Sequence, residues 1–421
     1  MRTTKLTITA RYIFPVEGPP IPHGFLTIEA GKISAIGESF EGTPDLDLGN
    51  VAITPGFVNA HTHLELSAVE VQTDRADGTE NEIAWLRRVI DQRRGRGESS
   101  LRAAVARNLE ASISSGTTSL ADTTTANLSW NAITAAPVRA VVFSELIGLK
   151  HARAMQTNLE AMASQAVNLM ERWANHHVRM GLSPHAPFST SEWLYHRAVE
   201  SNLPLSTHLA EMPEELELLE KRDGPLRRFL EDLGAWDEEW EPLSPHPIDY
   251  VRKGELRNSD WIIAHGNYLD PSDFWQLRPQ ANPGGKRLAV AFCPRTHARF
   301  GHAPHPYRAM LERGVIVCLG TDSLASSPSL SILDEARFLY HQDDPPGGHL
   351  LLTMATLFGA WALKEELDTG SLVPGKSADL AVIALPDREA EDPHDLLFDS
   401  ELRVVGSAFE GEFVRGQWVG V

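Results

Sequence analysis

An α/β architecture, a (β/α)8 (TIM) barrel with a small β-sandwich formed from both chain termini, is the fold this 421-residue sequence predicts. Three observations carry that expectation. From Phe57 to about Trp361, short β-branched runs alternate with helical stretches such as Leu101–Ser115 and Leu159–Ala174, the pattern of repeated βα units. Those runs number eight: Val58–His63, Thr117–Ala121, Val138–Phe143, Val178–Ser183, Leu205–His208, Ile262–His265, Leu288–Phe292 and Ile316–Gly320. Metal-competent side chains stand at the ends of the first, fifth, sixth and eighth, and the C-terminal strand ends are where such a barrel builds its active site.

The chain opens with strands. Leu6 to Phe14 alternates, and Gly24 to Gly37 reads as a hairpin turning at Ala30-Gly31. An apolar segment then leads into His61-Thr62-His63. Side chains at i and i+2 of a strand share a face, so the two imidazoles converge, an arrangement suited to a divalent metal. Later runs end in His208, with Glu211 close behind, in His265 and in Asp322. Any one of these taken alone could simply cap the following loop. The acidic, helical stretch Met212–Asn258 is placed to cover the barrel mouth, and Glu238-Glu239-Trp240-Glu241 within it reads as a solvated face. After Trp361 strand-like segments return, Ala378–Ile383 and Val404–Val419, with turns at Glu410-Gly411 and Arg415-Gly416. Neither terminal piece is large enough for its own core, so the two are expected to pair. Residues 1–55 plus 366–421 then form the sandwich, and residues 56–365 the barrel.

Gly370-Ser371-Leu372-Val373-Pro374-Gly375-Lys376-Ser377 satisfies the phosphate-loop pattern. That loop works only between a strand and a helix, and here a helical segment precedes it and a strand follows, so nucleotide hydrolysis is set aside. A formal charge of -19 argues against nucleic-acid partners and against anionic membranes. The first residues lack the apolar core of a signal peptide, and no run is apolar enough to span a bilayer. Cys293 and Cys318, both in apolar runs, read as buried reduced thiols of a cytoplasmic protein.

Three imidazoles and a carboxylate around one cation leave room for water, whose pKa falls from 15.7 toward about 7 when bound. Asp322 could touch the metal and accept the water proton, Glu211 could shuttle a proton to substrate, and His265 is either a ligand or a support for the nucleophile. This chemistry suits attack on an electrophilic C=N or C=O carbon. Zn and Fe(II) both suit such a donor set. Strand four carries no lysine to bridge two ions and ends in His185, so one metal is expected. His185 is then a substrate contact or a loop cap.

These segments together resemble the amidohydrolase superfamily, in its cytosine-deaminase-like, one-metal aminohydrolase branch. The likeness rests on Pro55–His63, His208-Leu209-Ala210-Glu211, His265-Gly266, Gly320-Thr321-Asp322-Ser323 and the tail Gly370-Ser371-Leu372 with Gly375–Leu380. It implies His61, His63, His208 and Asp322 as metal ligands, and Glu211, His265 and Asp322 as proton-relay and activating residues. The reaction implied is hydrolytic deamination of a small molecule. His63–Ser67, Trp85-Leu86-Arg87, Ser183–Pro187, Cys293–His297 and Asp322–Ser326 are similar to the aminodeoxyfutalosine deaminases of menaquinone biosynthesis, and partly to methylthioadenosine–adenosylhomocysteine deaminases. His185, Trp85 and Arg295 are the implied substrate contacts, with Arg87, Arg295 or another arginine meeting a substrate carboxylate. Dimers are common in the families it resembles. His297 and Ser327-Pro328 depart from the pattern at positions expected to flank the pocket. The competing functions are guanine deamination, a triazine-type chlorohydrolase, a dihydropyrimidinase-type hydrolase (disfavoured by the missing lysine) and a non-catalytic barrel scaffold.

Overall fold

The computed structural model describes residues 5–69, 81–172, 177–279 and 285–415. Eight parallel strands follow one another in sequence order around one sheet: Phe57–Thr62, Thr117–Thr124, Arg139–Leu146, Val178–Pro184, Leu205–Leu209, Trp261–His265, Leu288–Phe292 and Ile316–Leu319. Every expected barrel strand is present. The second and third run on beyond Ala121 and Phe143, to Thr124 and Leu146.

The first and last strands close the barrel through a parallel bridge between Thr62 and Asp322. The N–H groups of Thr321 and Asp322 donate to the His61 carbonyl at 3.0 and 3.1 Å. Asn59 joins the same two strands, its Nδ2 donating to Thr321 Oγ1 at 2.8 Å and its Oδ1 accepting the Thr321 N–H at 3.2 Å. Helices pack on the outside by their apolar faces. In Glu98–Ser114 the buried positions are Leu101, Ala104, Val105, Asn108, Leu109, Ser112 and Ile113, which recur at three- and four-residue spacing.

The chain ends form two sheets. The six-stranded sheet runs Glu412–Arg415, Val404–Phe409, Leu380–Ala384, Val51–Pro55, Tyr12–Ile13 and Ile21–Pro22, so the termini pair where Val51–Pro55 meets Leu380–Ala384 antiparallel. The four-stranded sheet is wholly N-terminal, ordered Lys32–Gly37, Phe25–Glu29, Lys5–Thr9 and Leu46–Asp47. Ile8, Leu26, Ile28, Ile53, Leu380 and Val382 share the core between them. Both expected two-residue turns have left-handed backbone at both positions, Ala30 and Gly31 (φ 52° and 78°) and Glu410 and Gly411 (φ 49° and 74°). The expected turn at Arg415-Gly416 lies outside the described residues.

The phosphate-loop look-alike is a turn between helix Leu357–Ala362 and strand Leu380–Ala384. Its Lys376 Nζ donates to the Thr369 carbonyl at 3.3 Å and lies 3.1 Å from Glu17. That lysine pins the turn. Cys293 and Cys318 are buried free thiols. No helix among the described residues is long and apolar enough to cross a membrane. In the 212–258 stretch, Trp236 and Trp240 are buried edge to face with centroids 5.6 Å apart, while Glu238, Glu239 and Glu241 stay exposed.

Candidate active site

Each strand of the closed barrel delivers its last residues to one end, and the sequence-predicted residues meet there. His61 comes from the first strand, with His63 just beyond its end; His208 is on the fifth, His265 ends the sixth, and Asp322 follows the eighth. Ring centroids lie 4.8 Å apart for His61–His63, 4.9 Å for His61–His208 and 5.4 Å for His61–His265. Within the triples His61–His63–Asp322 and His61–His208–His265, the ligand atoms all fall within 4.8 Å of one another. His265 and Asp322 have left-handed backbone, φ 66° and 56°. Each such conformation costs on the order of 1–3 kcal/mol in a non-glycine residue, and it turns each chain end sharply as it leaves its strand.

The donor set fits a divalent metal. His208 donates Nδ1–H to the His185 carbonyl at 2.9 Å, which leaves its Nε2 lone pair free. That Nε2 faces His63 Nε2 at 3.2 Å. Two nitrogens each about 2.1 Å from one tetrahedral zinc would be roughly 3.4 Å apart. Among the described residues, buried His61 Nε2 meets no hydrogen-bond partner. Burial holds His61, His63 and His265 well below the usual imidazole range, and His185 and His208 down to about 4, so all five are neutral and ligand-ready. Asp322 Oδ1 lies 3.7 Å from His63 Nε2, and its Oδ2 accepts from Ser326 Oγ at 2.7 Å. Burial raises the Asp322 carboxyl to about 7.

Glu211 Oε1 lies 3.2 Å from His265 Nε2. Burial, then the Glu82 and Asp322 carboxylates, push Glu211 well above the usual carboxyl range. These groups open onto a cavity of about 630 Å³ lined by His63, His208, Glu211, His265 and Asp322 at its floor. His185 and Trp85 line its walls. His185 Nδ1 meets Ser189 Oγ at 2.6 Å, and Trp85 donates Nε1–H to the Ala325 carbonyl at 2.8 Å. Met212, Phe229, Leu230 and Leu233 of the covering segment complete one side.

Residues 52–419 match the family model described as the amidohydrolase family. The chain belongs to the amidohydrolase family. It is a hydrolase acting on C–N bonds, from a metal-dependent family. The 5-methylthioadenosine/S-adenosylhomocysteine deaminase of Moorella thermoacetica is 26% identical, over 98% of this chain and 93% of that one. An adenosine deaminase of Helicobacter pylori is 25% identical over 86% of each chain. Among solved structures, Helicobacter pylori aminofutalosine deaminase with methylthio-coformycin superimposes with a TM-score of 0.80 at 22% identity, covering 97% of this chain and all of that one. A zinc-bound atrazine chlorohydrolase of Arthrobacter aurescens gives a TM-score of 0.77 at 19% identity, over 99% of this chain and 96% of that one. These superpositions establish a shared fold.

One expected contact of this amidohydrolase is corrected. Arg295 does not line the cavity: its Nε donates to buried Glu335 at 2.7 Å and its Nη2 to the Ser329 carbonyl at 2.9 Å. A buried carboxylate needs a cation more than a distant substrate does. Arg87 is also outside the lining, paired with Asp232 at 2.6 Å. His297 and Ser327 do not line the cavity either; His297 Nε2 meets the Ala303 carbonyl at 2.9 Å and Ser327 Oγ meets Glu335 at 3.1 Å. The cations on the wall are Arg93, Arg94, Lys150 and Arg153.

Several buried carboxylates carry no expectation from the sequence, among them Glu65, Glu145 and Glu215. Glu65 accepts the Ala126 and Leu128 N–H groups at 3.0 and 2.6 Å and holds the loop after strand two. Glu145, in the third strand, lies with His185 and His208 in a third cluster of ligand-competent atoms. It stands two residues beyond the apolar run Ala140-Val141-Val142-Phe143. The signal that singled out His265 and Asp322 was therefore present there too.

Proposed function

We propose that this chain catalyses metal-dependent hydrolytic deamination of an adenine-type nucleoside or aminated purine analogue, with 6-amino-6-deoxyfutalosine the preferred substrate. The observation that carries this reading is the convergence of His61, His63, His208 and Asp322 on one point, with Glu211 against His265 beside it, beneath a cavity of nucleoside size. Deaminase names among full-length relatives support the reaction class, and the Helicobacter aminofutalosine deaminase supports the substrate. Arg94 and Arg153 on the cavity wall suit a substrate with an anionic substituent far from the reacting ring.

His61, His63, His208 and Asp322 would hold one divalent ion, zinc in preference to Fe(II), since zinc is bound in the Xanthomonas campestris adenosine deaminase and the Arthrobacter chlorohydrolase. When bound, the metal supplies a Lewis acid that makes water nucleophilic near neutral pH. Asp322 would accept a proton from the water that adds to the amine-bearing ring carbon. Glu211, whose carboxyl is pushed by burial well above the usual range, would deliver a proton to the adjacent ring nitrogen. The proton taken up by Asp322 would pass to the amine, which leaves as ammonia, while the new hydroxyl's proton returns to Glu211. His265 steadies the charge that develops at the attacked carbon's new oxygen. His185 and Trp85 hold the ring and its substituent. The working unit is then residues 56–365 carried by a sandwich of residues 1–55 and 366–421.

An ammonia-release screen on zinc-replete protein tests this across adenosine, methylthioadenosine, adenosylhomocysteine, aminodeoxyfutalosine, guanine and cytosine, with a chlorotriazine alongside. Ammonia from aminodeoxyfutalosine at the highest kcat/KM is expected. Ammonia only from guanine or cytosine, or chloride from the triazine, would replace the substrate assignment. Glu211→Gln is expected to keep the metal and lose at least about 100-fold in kcat.

A further inference from the structure

His265 closes the sixth barrel strand with left-handed backbone, φ 66°, and Gly266 follows it at φ 66°. The ladder to the seventh strand stops one residue earlier, at Ala264–Ala291. A side chain takes over there. His305 is buried in the loop between the helices Pro294–Phe300 and Tyr307–Glu312, and its Nε2 lies 2.8 Å from the His265 carbonyl oxygen. Its Nδ1 accepts the Tyr307 N–H at 2.9 Å, so the ring hydrogen sits on Nε2 and the imidazole donates to the carbonyl. The ring also stacks on Phe292, the last residue of the seventh strand, with centroids 3.9 Å apart and planes at 21°. Two residues before His305, the Ala303 carbonyl meets His297 Nε2 at 2.9 Å, which ties the loop to the helix Pro294–Phe300.

The direction of an imidazole follows from the backbone that carries it, and a left-handed non-glycine residue keeps its shape only where its surroundings hold it. His265 Nε2 stands 3.2 Å from Glu211 Oε1, and the residues after it are stitched to the same turn. Asn267 Nδ2 donates to the Glu211 carbonyl at 2.8 Å, and the Tyr268 N–H to the Ala210 carbonyl at 2.9 Å. Those bonds hold the turn from the side of the fifth strand. His305 holds it from the side of the seventh. We propose that His305 is a positioning residue for His265: by fixing the His265 carbonyl, it sets that imidazole against Glu211 at the edge of the ligand cluster. This rests on the roles given to His265 and Glu211 above.

Zinc-loaded His305→Phe, His305→Gln and His265→Asn variants test it, with the best substrate of the ammonia screen. His305→Phe keeps a ring to stack on Phe292 and removes both hydrogen bonds. His305→Gln keeps a donor for the His265 carbonyl and an acceptor for the Tyr307 N–H, and gives up the stack. His305→Phe is expected to lower kcat at least about 10-fold with KM within about twofold and bound zinc unchanged. His305→Gln should stay within about threefold of the wild-type kcat. Combined with His265→Asn, His305→Phe should cost nothing further, because it acts through that residue. An active His305→Phe with an impaired His305→Gln is what packing alone gives and overturns the proposal, as do equal kcat values in the two. In protein carrying isotope-labelled histidine, the nitrogen NMR signals that vanish in His305→Gln should show the Nε2–H tautomer. The Nδ1–H tautomer overturns the proposal, and this reading decides alone if His305→Phe does not fold. Full activity in His265→Asn would sink the parent assignment, whereas inactivity there with no effect at His305 sinks this inference alone.

Discussion

Glu215 supplies a carboxylate oxygen to each of two consecutive peptide N–H groups, Ala210 at 3.0 Å and Glu211 at 3.1 Å. Ala210 has left-handed backbone, φ 50°, so the turn that aims Glu211 into the cavity is held from beneath. Burial raises the Glu215 carboxyl to about 7, against the lowering by those two amides. Its truncation would leave two buried donors without acceptors, at about 1–3 kcal/mol each. Glu215→Ala is therefore expected to reduce kcat about 10-fold or more while zinc content stays at one equivalent. Steady-state kinetics with metal analysis checks this, and an unaltered kcat would show that the turn keeps its shape unaided.

Strands one and eight approach too closely for a side chain at one point. A Cβ on Gly320 would lie 2.9 Å from both the Cβ and the carbonyl oxygen of His61, and 3.0 Å from Cys293 Sγ. The His61 carbonyl is fixed by the Thr321 and Asp322 N–H groups and cannot yield without moving both ends of the proposed ligand set. Gly320→Ala should cost about 1–3 kcal/mol in overpacking and weaken metal retention. Dialysis against a chelator is the measurement, with zinc expected to leave the variant faster than the wild type. Equal retention would mean that the seam relaxes around a methyl group.

At the scale of the molecule, the sandwich meets the barrel at the end opposite the site. Arg139, the first residue of the third barrel strand, donates Nε–H to Asp379 Oδ2 at 2.8 Å. Asp379 Oδ1 accepts from Ser377 Oγ at 2.7 Å and from the Glu410 N–H at 2.8 Å. Asp379→Ala would leave the largely buried Arg139 guanidinium with Glu410 Oε1 at 3.4 Å as its remaining carboxylate and cost about 1–3 kcal/mol. A lower urea midpoint with kcat within about twofold of wild type is the expected pair of results, since the joint is remote from the strand C-termini. A large kcat loss at full stability would instead couple the sandwich to the chemistry.

Much of this was legible from local pattern. Period and spacing located the eight barrel strands, the hairpin at Ala30-Gly31 and the six side chains His61, His63, His208, Glu211, His265 and Asp322, because a strand end reached through an apolar run has only one destination in a closed barrel. The sequence by itself thus determined which strands bring the proposed ligands together. Tertiary structure alone decided who stands next to whom: Arg295 was drawn to Glu335 and away from the cavity, and Arg94 and Arg153 came to line it. Spacing along a strand fixes the face a side chain takes, but pairing across the fold is set by helices that pack by their apolar stripes and carry their polar ends wherever that packing leaves them.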